Sequence, residues 1–282
     1  MTATTNPPPP PPVGVHDPFS SPSFWRRRGV RTAWVVLGSV FTLAALAWGT
    51  LESVARIAHD ETTEQQSWAA GDITTIEIRN GAGDVEVVGA DTDTIELTSR
   101  ISRGLFETEH AERIEGDRLV LTVDCPWVVN HFCGVDQQLV IPAHLAVEIV
   151  SHDGDSEVAD VDGPVDIFSE DGRVDLARLG GPLDLDLRHG SAEGTQISSS
   201  DATTTSEFGR VRLSFIDAPD LVTVHAKFGD VEILVPDDGT FYAVTSRTDF
   251  GDTDNQLRSD PAADARMDIR AEFGSVRLGY TS

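Results

Sequence analysis

Lysine is all but missing from this chain: Lys227 stands alone among 282 residues. Cysteine, methionine and tyrosine are limited to two residues each. Two cysteines cannot build a disulfide-dense scaffold or a four-cysteine zinc site. Basic residues number 21 against 47 acidic ones, a formal charge of −26. So acidic a chain lacks the basic footprint that a phosphate backbone requires, which excludes a nucleic-acid partner. There is no Gly-x-Ser-x-Gly elbow, no His-Glu-x-x-His pair and no phosphate-binding loop. The nearest imitation, Gly190-Ser191-Ala192-Glu193-Gly194, has its serine in the wrong place. No enzyme signature is left, and the chain reads as non-enzymatic. What is present, 39% hydrophobic residues and 24 glycines, excludes collagen-like and wholly disordered chains and leaves room for one or two globular domains.

The charge is unevenly placed. Residues 1–31 hold Arg26, Arg27, Arg28 and Arg31 against Asp17, or +3. Residues 32–51 carry no charge, and residues 52–282 hold 17 basic and 46 acidic groups, or −29. Twenty apolar residues span about 30 Å as a helix, the thickness of a bilayer's hydrocarbon core. Trp34 and Trp48 lie near its two ends, where indole rings sit among headgroups. The arginines before the span place the N-terminus in the cytoplasm and the acidic body outside. The alternative is a cleaved signal peptide, for which Ala45-Leu46-Ala47 is a passable site; the long N-terminal region and long apolar stretch weigh against it.

Four segments follow: a Pro-rich cytoplasmic tail at 1–31 with the extended run Pro7 to Pro12, a transmembrane helix at 32–51, a polar stalk at 52–72 and an ectodomain at 73–282. Within the ectodomain, 73–141 is the less regular leading part and 142–280 the regular one.

From residue 73 the periodicity is that of strands, as in Ile76-x-Ile78 and Val85-x-Val87. A glycine turn followed by an alternating apolar pair recurs at Gly154, Gly172, Gly190, Gly209, Gly229, Gly251 and Gly274, at intervals of 18 to 23 residues, with an earlier copy at Gly83. Fixed periods of this length mark stacked units. Around Gly229, Val224, Ala226 and Phe228 share a face with Val231 and Ile233, and the equivalent positions around Gly274 agree. A strand bending at a glycine corner with its apolar face inward produces this pattern. The expected fold is all-β: a right-handed parallel β-solenoid, β-helix-like, after one N-terminal transmembrane helix. An antiparallel sandwich is the alternative, but it needs no fixed period.

Ile141-Pro142-Ala143-His144-Leu145-Ala146-Val147-Glu148-Ile149, Ser151-His152-Asp153-Gly154, Asp171-Gly172-Arg173-Val174 and Phe228-Gly229-Asp230-Val231 resemble the β-strand-repeat pattern of the bacterial putative adhesin family, over roughly residues 73–280. The resemblance implies an envelope-exposed β-solenoid, often behind one membrane span, and brings no catalytic residues.

Cys125 and Cys133 are expected to pair, because disulfides persist outside the membrane. A metal site with His131 would be one ligand short of a closed zinc centre. Trp127 and Phe132 could cover the bridge. Just before the corner glycines stand Asp153, Asp171 and His189 in the earlier coils and Phe208, Phe228, Phe250 and Phe273 in the later ones. In register, the first three could form a small cation site for calcium, with Asp155 as a further oxygen ligand; the alternative is a solvated polar edge. No other cofactor is expected. The four phenylalanines read as core. The functional expectation is a membrane-anchored, extracytoplasmic module for envelope structure, adhesion or sensing, whose partner is an envelope polymer or an envelope protein. The alternative is a glycan-binding or glycan-cleaving β-helix protein.

Overall fold

The computed structural model describes residues 37–38, 40–42, 60–103, 109–125 and 133–281. The expected tail, most of the expected span, residues 52–59 and the side chains of Trp127, His131 and Phe132 lie outside them. Residues 37–38 and 40–42 are helical. No helix among the described residues is long and apolar enough to cross a membrane.

From residue 60 onward the chain is all-β. Strands β1 (Asp60–Ala69), β2 (Thr75–Asn80), β3 (Val85–Ala90), β4 (Thr94–Arg103), β5 (Glu109–Glu115), β6 (Arg118–Asp124) and β7 (Gly134–Pro142) make the leading part. The regular part runs through β8 (Ala146–Asp153), β9 (Ser156–Ala159), β10 (Val165–Ala177), β11 (Leu183–Ile197), β12 (Asp201–Phe208) and β13 (Val211–Phe215). It ends with β14 (Leu221–Phe228), β15 (Val231–Val235), β16 (Tyr242–Phe250), β17 (Thr253–Asn255), β18 (Ala265–Phe273) and β19 (Val276–Tyr280).

Strands flanking each corner glycine form one rung, and rungs pair in parallel register. Gly172 lies beside Gly190, and Phe208 pairs with Phe228. One inward column reads Ile78, Ile149, Ile167, Leu185, Thr204, Val224 and Ile269, and every member is buried. A single rung cannot cover its own apolar face; stacking makes one continuous core.

The corner demands glycine. Gly209 and Gly229 have φ of 137° and 148°, and a Cβ on either would overlap the carbonyl oxygen of the corner glycine in the rung beneath. At these corners the rungs approach too closely for a side chain.

The stacking order departs from chain order at both ends. β18 and β19 sit between the Gly229 rung and the Gly251 rung, so the last coil of the chain is inserted as the penultimate rung. Near the other end, β6 and β7 form the rung beneath β2 and β3. Cys125 and Cys133 form a disulfide with Cα atoms 5.8 Å apart, which ties the end of β6 to the start of β7.

Two expectations are corrected. Residues 60–69 are not stalk: β1 pairs antiparallel with β4 along its whole length. Its polar residues hid the alternation, in which Thr62, Glu64, Gln66 and Trp68 are half-buried. The leading part also contains antiparallel pairings, β4 with β7 and β5 with β6, which cover that end of the stack.

Candidate functional site

The position before the corner glycine faces solvent. Phe208, Phe228, Phe250 and Phe273 are 45%, 41%, 66% and 42% exposed, so the expectation that they form core is wrong. The cause is local. Inward alternation holds through Val224 and Ala226 and resumes at Val231 and Ile233. The register skips Glu207 and Lys227 just before the corner, so two successive residues turn outward and Phe228 leaves the interior.

The exposed rings are ordered. Phe208 and Phe228 stack with centroids 4.9 Å apart, Phe228 and Phe273 at 4.9 Å, and Phe273 and Phe250 at 4.8 Å, with planes within 7° of parallel. His189 continues the stack at 5.3 Å from Phe208. The spatial order is 189, 208, 228, 273, 250, which follows the inserted last coil. Ring faces cover one another, so solvent meets ring edges along the ridge, and Phe250, the last ring, is the most exposed of the four phenylalanines.

Charged rows flank the ridge. On one side Arg188 bonds Glu170 at 2.9 Å and Lys227 bonds Glu207 at 2.5 Å. The hydrogen bond from Lys227 holds the Glu207 carboxyl below the usual carboxylate range. On the other side Arg173 reaches Glu193 and Arg212 reaches Glu232, both at 2.6 Å. Two shallow grooves border the last rungs. One of about 650 Å3 runs past His225, Lys227, Arg247, Asp249, Arg270 and Glu272, and one of about 480 Å3 past Arg210, Arg212, Asp230, Glu232, Asp254 and Arg277. Arginines pair with Asp249, Glu232 and Asp230 in them: Arg247 with Asp249 at 3.4 Å, Arg212 and Arg277 with Glu232, and Arg210 with Asp230 at 4.0 Å. The carboxyls pushed up in pKa, Asp166 and Asp184, lie in neither groove; burial is the main cause, with nearby carboxylates adding to it.

The residues of the expected cation site fall in one register column. Asp153, Asp171 and His189 occupy successive rungs, and His189 Nδ1 lies 3.6 Å from Asp171 Oδ1. Among the described residues no three His, Cys, Asp or Glu side chains converge as a metal site. Asp155 is engaged in the backbone of the stack, where its Oδ1 accepts the Arg173 backbone N–H at 2.8 Å. Asp84 and Asp230 likewise accept from Asp155 and Ser275 in the next rung, at 2.9 and 3.0 Å. These aspartates tie rung to rung beside the glycine corner. The signal was in the sequence as an Asp directly after Gly83, Gly154 and Gly229.

Fold and surface define an all-β protein of stacked parallel rungs with an exposed aromatic ridge at its glycine corners. No family model matches the chain, and no curated protein does. Among solved structures it is similar to a putative adhesin from Bacteroides fragilis, at 12% identity and a TM-score of 0.43, covering 78% of this chain and 97% of that one. It is also similar to a putative cell adhesion protein from Clostridium sporogenes, at 10% identity and a TM-score of 0.37, covering 79% and 100%. A putative lipid binding protein from Parabacteroides distasonis matches at 13% and 0.38, covering 78% and 97%. Likeness this low bears on neither mechanism nor partner.

Proposed function

We propose that this chain is a membrane-anchored, extracytoplasmic, non-enzymatic binding module, adhesin-like in role, whose ectodomain is a right-handed β-solenoid that contacts an envelope protein along its phenylalanine ridge. The observation that carries this reading is the exposure of four in-register phenylalanines. Large aromatics left in water on one ordered ridge are the usual mark of a contact surface. Sugar rings stack on aromatic faces, and these faces are occupied by one another, which favours a protein partner over a glycan. The disulfide supports an oxidising, extracytoplasmic setting. The uncharged stretch 32–51 and the exposed apolar side chains Leu37, Val40 and Phe41 support a membrane anchor.

Glycan binding is the second reading, favoured by the two grooves with guanidinium and carboxylate groups beside the ridge. Glycan cleavage would need a raised-pKa acid facing a second carboxylate across the substrate, and the carboxyls pushed up here, Asp166 and Asp184, line neither groove. The test is capture from envelope extracts by the full chain in detergent, wild type against the variant with Phe208, Phe228, Phe250 and Phe273 all changed to Ser. Loss of a captured protein with an unchanged circular dichroism spectrum supports the reading. Equal capture by both refutes it, and capture of polysaccharide alone moves the assignment to the glycan reading.

A further inference from the structure

The two ends of the rung stack are finished differently. At the leading end β7 is covered by β4 and β4 by β1, while β6 is covered by β5. At the other end, among the described residues, β16 pairs along its length only with β18, apart from a bridge between Tyr242 and Ser259, and β17 only with β19. Tyr242 is tied by its backbone to Arg258 and Asp260. From Ala243 to Phe250 the outer backbone edge has no strand partner among the described residues. Val244, Ser246 and Thr248 are therefore only half-buried, whereas Met267, Ile269 and Ala271 beneath them are fully buried.

An open strand edge is a template for another strand, and proteins usually blunt it with Lys, Pro or a bulge. The run Tyr242-Ala243-Val244-Thr245-Ser246-Arg247-Thr248-Asp249-Phe250 contains neither Lys nor Pro. It does carry one opposite-charge pair, Arg247 and Asp249, two residues apart and both exposed. Side chains two apart share a face, and directly opposed residues of an antiparallel pair face the same side. In an antiparallel pairing centred on Thr248, each Arg247 falls opposite Asp249 of the second copy, before the register breaks at the corner. The run is its own charge complement.

We propose that this edge pairs with a second copy of the chain, β16 against β16, as a two-fold interface centred on Thr248. A symmetric interface requires one patch to complement itself, and Arg247-Thr248-Asp249 does. The rung ends its apolar columns on Ser246, Thr248, Thr253 and Asn255, so the unpaired form stays soluble and the association is reversible. The proposal does not depend on what the phenylalanine ridge binds.

The test is sedimentation velocity on the full chain in detergent over a concentration series. Wild type shows a concentration-dependent monomer–dimer equilibrium. Arg247→Asp and Asp249→Arg each replace two attractive pairs by two repulsive ones and weaken the dimer about tenfold. The double variant Arg247→Asp/Asp249→Arg restores it. A chain that stays monomeric throughout overturns the proposal. So do single variants that dimerise like wild type, which would place the contact elsewhere, and a double variant as weak as the singles. Thermal melting of each variant, unchanged for such exposed residues, separates loss of pairing from loss of fold.

Discussion

One position of the repeat carries two chemistries. In the earlier rungs the residue before the corner glycine is Asp153, Asp171 or His189; in the later rungs it is Phe208, Phe228, Phe273 or Phe250. The backbone is the same in both halves, with the glycines at positive φ in each. The interior behind the corner also differs. The column reads Asn80, Ser151, Ser169, Leu187, Ser206, Ala226 and Ala271, all buried, so it is mostly polar at the acidic rungs and becomes alanine only at the last aromatic ones. Corner geometry and corner chemistry are therefore separable. Carbonyl packing sets the first, and the outward-facing position before it is free to vary because it contributes little to the core.

The comparison can be broken most forcefully at the shared element. Gly172→Ala in the acidic half and Gly229→Ala in the aromatic half should each cost about 2–6 kcal/mol, combining a forced backbone with an overlap against the rung beneath. Denaturant unfolding of the two variants checks it; a mild effect in one half only would mean the corners are not equivalent.

A smaller effect separates ridge from core. Phe228→Ala or Phe273→Ala should destabilise by about 0.5–1.5 kcal/mol, the worth of exposed stacking. A buried phenylalanine would cost about 3–5 kcal/mol, so a loss in that range measured by chemical denaturation would return these rings to the interior.

The polar interior of the first half gives a change of opposite sign. Ser169 is 2% exposed and its hydroxyl has no hydrogen-bond partner. Ser169→Ala should stabilise by about 1 kcal/mol by removing a desolvated group, whereas Ala271→Ser in the second half should destabilise by a similar amount. Paired melting curves read both.

The smallest effect is electrostatic. Asp166 and Asp184 are register partners, and both carboxyls are pushed up, first by burial and then by neighbouring carboxylates. With the folded pKa raised, the stabilising contribution is present below the unfolded pKa and lost as pH rises through the folded one. Asp184→Asn should therefore stabilise at neutral pH by a few tenths of a kcal/mol, given solvent screening, and the gain should vanish below the ordinary carboxylate range. A stability profile against pH tests the sign.

Much of this was legible along the chain. The glycine spacing marked the corners, and Val224, Ala226, Val231 and Ile233 alternated as they pack. The pairing of Cys125 with Cys133 was also legible, although its place between the end of β6 and the start of β7 was not. The ridge was misread because a strict period of two carries Phe228 inward, and the skipped pairing at Lys227 leaves no composition signal. β1 was read as stalk because both faces of that strand are polar.

The order of residue types dictates where the chain must turn, since only glycine tolerates a carbonyl where a Cβ would stand, and which alternating residues are apolar enough to share a core. Three outcomes came only with packing in space: the last coil slips in beneath the one before it, antiparallel strands cover one end and leave the other open, and the phenylalanines look outward. Those outcomes rest on hydrogen bonds between segments far apart in the chain and on a local break in pairing, and neither leaves a trace in the linear pattern.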